Sequence, residues 1–247
     1  MAEILLKNPP TYPLVAIPVD LSFLNERNPL AFTIDNVCTP EECQALINLS
    51  EAGSYEIALI NVGYGRQKII TDVRNNYRYI RDDVEITNIL WKRIEQFVPA
   101  LWYDKPVAGL NERLRFLRYD PGQKFEAHCD GTYVRPDGNE KSCITFQLYL
   151  NEGFVGGETS FLSYSLNRDE VKVVPKTGMV LIFQHDLLHE GSAVIEGRKF
   201  TWYLEQASLH SIHNSSISFP LIARAQPLSL FVSKELSVVA MEIIIQD

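Results

Sequence analysis

Residues 113–130 read RLRFLRYDPGQKFEAHCD, and this stretch decides the fold. From Leu114 the chain turns into short runs rich in aromatic and β-branched side chains, broken by Pro121-Gly122, Pro136-Asp137-Gly138, Gly156-Gly157 and Glu196-Gly197. Runs of about four to eight such residues between turn-forming pairs mark β-strands. We expect strands near 113–119, 125–130, 143–150, 158–161, 171–174, 179–184, 191–194 and 199–205. Eight short strands suit a double-stranded β-helix, the cupin-like jelly roll.

Upstream the pattern is different. Pro9, Pro10, Pro13, Pro18 and Pro29 deny regular helix to the first thirty residues and imply an extended arm. Thr39-Pro40-Glu41-Glu42 supplies an N-cap, a proline at the first helical position and a capping-box Glu, so a helix is expected from Pro40 to near Gly53. Ile86, Ile89, Leu90, Ile94 and Phe97 recur at three and four residues and predict a second helix over 84–98, packed with the first on one side of a sheet. The fold class is therefore mainly β with supporting N-terminal helices. Residues 1–110 are the arm and helical support, 111–206 the jelly-roll core of the same domain, and 207–247 an atypical tail, Ser-rich at first and then apolar.

The whole chain has 247 residues, 46% of them apolar, which is ample for a packed core. Its 23 Lys and Arg against 31 Asp and Glu leave a net charge of -8, opposite in sign to a phosphate-neutralising surface, so no nucleic-acid partner is expected. No signal-like start and no run of about 18 apolar residues is present, so neither export nor a membrane span is expected. Four cysteines without an export signal read as thiols in the cytoplasm or nucleus.

His128 and Asp130 are two apart on an expected strand and leave the same face. A third metal ligand must come from elsewhere. His189, after the buried run 179–183, is favoured by position, with His185 as the alternative. Two imidazoles and one carboxylate on one side of a metal suit iron(II) and leave positions open for other ligands. A basic pair, Arg198-Lys199, follows some ten residues after His189; a cation entering the barrel there needs an anionic partner, which the far end of a dicarboxylate would supply. Arg74, Asn75 and Asn76 lie in a polar stretch that could line a substrate groove.

Taken in order, the Tyr119-Asp120-Pro121-Gly122 turn leading to His128 and Asp130, the runs 145–150 and 156–161, and 175–183 followed by His189-Glu190-Gly191 and Lys199 resemble the catalytic core of prolyl 4-hydroxylase-type iron(II)- and 2-oxoglutarate-dependent dioxygenases. The resemblance implies His128, Asp130 and His189 as iron ligands. It implies Lys199, assisted by Tyr119 and Thr145, as the anchor for the distal carboxylate of 2-oxoglutarate. Iron(II), 2-oxoglutarate, O2 and ascorbate are the implied cofactors, and a peptide, above all a peptidyl proline, or a small molecule the implied substrate. The likeness stops after Phe200, which leaves two other readings: a metal-binding jelly-roll module with impaired turnover, and a zinc hydrolase using the same ligands.

Overall fold

In a computed structural model that describes residues 6, 13–24, 28–62, 66–165, 169–205 and 208–210, the alternating runs form two main antiparallel sheets. In chain order their strands are β1 (Ala16–Pro18), β2 (Ala31–Ile34), β3 (Glu56–Ile57), β4 (Tyr77–Asp82), β5 (Arg113–Tyr119), β6 (Phe125–His128), β7 (Ile144–Tyr149), β8 (Thr159–Leu162), β9 (Glu170–Val173), β10 (Val180–Gln184), β11 (His189–Gly191) and β12 (Lys199–Glu205). The larger sheet has the order β1-β2-β10-β7-β12-β5-β4-β3 and the smaller β6-β11-β8-β9. From β5 onward the chain alternates between the sheets except at the β8–β9 hairpin, which is jelly-roll topology.

Four strands of the larger sheet come from residues ahead of the core, where an arm and helices were expected. Their sequences hide them: β1 to β3 are four residues or shorter, and β4, Tyr77–Asp82, interleaves charges with its aromatics and shows no clean apolar face. The helices follow expectation closely. Helix α1 (Pro40–Glu51) has the full Thr39/Glu42 capping box, and α2 (Val84–Ile94) continues into a 3-10 turn at Glu95–Phe97.

Glu42 joins the two. It accepts from the Thr39 backbone, and its two oxygens take a bidentate pair of bonds from Arg93 of α2, both 2.8 Å. Because both partners are buried, breaking this ion pair from one side would leave an uncompensated charge, at a cost of about 3–5 kcal/mol.

Alternation on the larger sheet sorts its side chains. Leu114, Phe116, Ile144, Phe146, Leu148, Val180, Ile182, Phe200 and Trp202 join Leu46, Ile86, Leu90 and Ile94 of the helices in the main core. The neighbours Tyr119, Thr145, Gln147, Tyr149, Leu181, Phe183, Lys199 and Thr201 are also buried, and by the period of two they face into the barrel.

Two expected strands end differently. The 125–130 run pairs only to His128, because the Asp130 N–H turns aside to the His185 carbonyl at 2.9 Å. The 191–194 run is split: β11 ends at Gly191, and Val194–Glu196 pairs instead with Val155–Gly156. At the C-terminal side, Ser208–His210 pairs with Glu140–Ser142. The apolar part of the expected tail lies outside the described residues. No helix among the described residues is long and apolar enough to cross a membrane.

Candidate metal centre

His128 ends β6 and His189 begins β11, and the two residues are register partners across the smaller sheet. Asp130 lies just beyond β6. His128 Nε2 is 3.6 Å from Asp130 Oδ1, and His189 Nε2 is 3.8 Å from Asp130 Oδ2. The ligand atoms of the three residues lie within 4.8 Å of one another and could hold a metal ion.

The rings are set for that purpose by their other nitrogens. His128 Nδ1 donates to the Glu126 carbonyl at 2.8 Å, and His189 Nδ1 to the Leu187 carbonyl at 2.9 Å. A carbonyl oxygen only accepts, so each Nδ1 carries the proton and each Nε2 presents its lone pair to the cluster. Phe125 stacks on His128 at 3.5 Å between centroids, and Phe183 meets His189 edge-on at 4.7 Å. Burial, and then the neighbouring His128, pull the His189 pKa down to about 4, so its imidazole is neutral at physiological pH. Burial pushes Asp130 the other way, yet His189 and His128 outweigh it and hold the carboxyl far below its usual range. One imidazole nitrogen from each histidine and one anionic oxygen are thus placed to ligate, which fits iron(II).

Lys199, first residue of β12 and register partner of Tyr119, is 2% exposed. Its Nζ donates to the Gly157 carbonyl at 2.7 Å and lies 5.1 Å and 5.5 Å from the ring centres of Tyr119 and Tyr149. Gly157 has a positive φ of +71°, and a Cβ on it would press on Val194 and the Lys199 side chain. Burial lowers the Lys199 pKa to about 7, only partly offset by Glu158. Among the described residues no carboxylate forms an ion pair with it, so its ammonium form is left without an anionic partner there. Arg198, the competing cation, is exposed and donates to Asp120.

Other expected residues fall in different places. The Thr145 hydroxyl, expected to meet the distal carboxylate, donates to Asp130 Oδ2 in the structure because β7 brings it beside that carboxylate. Arg74 stands over the Phe125 ring at 4.3 Å and so backs the Phe125–His128 stack. Asn75 and Asn76 make contacts within the protein. Asn75 Oδ1 accepts from the Lys124 N–H at 2.7 Å and braces the approach to β6. Asn76 is fully buried, donating to the Tyr77 carbonyl and accepting from Arg74 Nε. Tyr149 and Phe125 were missed as site residues, although Tyr149 shares the two-residue period of Thr145 on one strand.

Two histidines and one carboxylate thus converge where they could hold a metal ion, with a buried lysine inside the same barrel. Residues 114–204 match the model of the 2OG-Fe(II) oxygenase superfamily. The chain is 28% identical over 205 residues to probable prolyl 4-hydroxylase 3 of Arabidopsis thaliana, covering 70% of this chain and 67% of that protein. It is 29% identical over 204 residues to prolyl 4-hydroxylase 2 of the same plant, covering 70% and 65%. The matches therefore span about two thirds of these relatives. Among solved structures, a prolyl hydroxylase from Trichoplax adhaerens in complex with a hypoxia inducible factor oxygen degradation domain peptide superposes with a TM-score of 0.55 at 16% identity, over 73% of this chain and 83% of that one. A viral collagen prolyl hydroxylase from Paramecium Bursaria Chlorella virus-1, in its 2OG complex, gives 0.50 at 22%, over 74% and 96%. Over residues 114–204 the chain is thus similar to the 2OG-Fe(II) oxygenase superfamily, and the two Arabidopsis relatives are prolyl 4-hydroxylases by name.

Proposed function

We propose that the protein hydroxylates a peptidyl proline, with 2-oxoglutarate and O2 converted to succinate, CO2 and the hydroxylated residue. The observation that carries this is the pair of carbonyl-anchored histidines whose Nε2 atoms converge with Asp130, with a buried and anionless Lys199 in the same barrel. Iron(II) bound there would supply the redox chemistry that joins decarboxylation to C–H oxidation, with ascorbate as its reductant.

His128, Asp130 and His189 would hold the metal. Thr145 orients Asp130 through its hydroxyl. Lys199 and Tyr119 take the distal carboxylate of 2-oxoglutarate through charge-assisted hydrogen bonds, and the Tyr149 ring helps to keep water from the ammonium. Phe125 and Phe183 close the flanks of the imidazoles. Arg74, beside Phe125, is the groove residue that meets the peptide. In this reading 111–206 is the catalytic unit and 1–110 its support, and the four thiols accord with a reducing compartment, cytoplasm or nucleus.

A module that binds metal without turnover is less well supported, because β12 pairs over 199–203 with β5 and over 201–205 with β7, with no register shift in either. The test is full-length protein with iron(II), ascorbate, labelled 2-oxoglutarate and a panel of proline-containing peptides. Succinate release coupled to a gain of one oxygen on a peptide supports the proposal; folded, metal-loaded protein that never forms succinate refutes it.

A further inference from the structure

His185 is 6% exposed, and neither of its ring nitrogens has a hydrogen-bond partner among the described residues. Every imidazole carries at least one N–H, and burying that donor without an acceptor is costly. The main chain of the residue is fully used. Its N–H donates to the Cys143 carbonyl at 3.0 Å, and its carbonyl accepts the Asp130 N–H at 2.9 Å. Those bonds lock His185 between the start of β7 and the metal-ligating turn, while the side chain is left idle.

The place of that side chain is informative. Along β10, Val180 and Ile182 pack in the helix-side core, whereas Leu181 and Phe183 belong to the second core. Phe183 is the ring that touches His189. His185 comes two residues later, and its ring acts electrostatically on both Asp130 and His189. Yet it stands outside the group whose atoms could close on a metal. His128 and His189 each spend one nitrogen on a carbonyl; His185 spends neither. A buried polar ring that serves neither the fold nor ligation, beside a ligand site, calls for a partner that arrives with the ligand.

We propose that His185 is a further positioning residue whose imidazole N–H hydrogen-bonds an oxygen ligand held at the His128, Asp130 and His189 centre. Two oxygen ligands share this chemistry: a water on the metal, and the metal-bound end of 2-oxoglutarate. The inference rests on the iron and 2-oxoglutarate reading above, and it gives His185 a role other than that of an alternative ligand.

The test compares the full-length wild type with His185→Leu and His185→Gln under anaerobic conditions. Three quantities are read: thermal midpoint without metal, affinity for Mn(II), and affinity of the Mn(II)-loaded protein for 2-oxoglutarate. His185→Leu removes the orphaned donor, so its metal-free midpoint should equal or exceed that of the wild type. Loss of one hydrogen bond to a charged ligand should weaken one of the affinities about tenfold. Weakening in the Mn(II) arm identifies the water as acceptor; weakening confined to the 2-oxoglutarate arm identifies the co-substrate. His185→Gln, which keeps an N–H donor, should recover most of the loss. Unchanged affinities in both arms, or a metal-free midpoint lowered by the Leu variant, would overturn the proposal by showing a ring satisfied within the fold. A wild type that binds neither Mn(II) nor 2-oxoglutarate would instead overturn the metal-centre reading, and this inference with it.

Discussion

The two faces of the larger sheet are made of alternate residues on the same strands, yet they have opposite chemistry. Toward the helices stand Phe116, Phe146, Leu148, Ile182 and Trp202, an apolar surface closed by stacking such as Phe116 on Trp202 at 5.5 Å. Toward the barrel stand Tyr119, Thr145, Gln147, Tyr149, Lys199 and Thr201, every one buried and most held by one or two polar contacts. Thr145 and Phe146, or Thr201 and Trp202, are chain neighbours with separate duties. One face supports the fold and the other is the one proposed to hold ligands, so substitutions on the two should separate stability from binding.

The sharpest way to break this comparison is His189→Ala. We expect metal affinity to fall by more than about a hundredfold while the metal-free protein stays folded; calorimetric titration of Mn(II) beside a melting curve checks both. Unchanged affinity would show that another group ligates. On the opposite face, Trp202→Ala should cost about 3–5 kcal/mol in denaturant unfolding, with 2-oxoglutarate affinity of the folded fraction unaltered. Loss of binding without loss of stability would reverse the assignment of the faces.

A smaller effect is expected for Lys199→Met, which should weaken 2-oxoglutarate about 10- to 100-fold and leave metal binding intact. Its pH dependence follows from the lowered pKa of about 7. Between that value and the unfolded lysine value near 10.5, the folded state binds fewer protons than the unfolded one, so metal-free stability gains with rising pH across that window. Capture of a carboxylate needs the ammonium form. Affinity for 2-oxoglutarate should therefore be highest below about pH 7 and fall as pH rises, roughly tenfold per unit, whereas the Met variant should show no such slope. The smallest expected change is that of Thr145→Val, which deprives Asp130 of its hydroxyl donor and should lower metal affinity about tenfold.

What could be read from the sequence was whatever depended on neighbours along the chain. The Thr39 capping box, the bounds of β5 and β12, and the two-residue step from His128 to Asp130 are all local patterns. Contacts between distant segments were not legible in this way. Thr145 meets Asp130 only because β7 and the turn after β6 converge, and Asn76 is buried only because β4 joins the sheet beside β5. The edge strands β1 and β3 carry too few residues to show a period, and their pairing comes from the sheet they extend. The orphaned ring of His185 is of the same kind: in sequence it is one more histidine near His189, and only burial on all sides reveals its missing partner.

The central claim, that the interior face is an oxygenase site, is tested most directly by turnover under isotopically labelled O2 with a peptide that supports succinate release. We expect one labelled oxygen in succinate and the other in the hydroxylated peptide, with both signals absent in the His189→Ala protein. Succinate without label, or label in neither product from folded and iron-loaded wild type, would contradict the account.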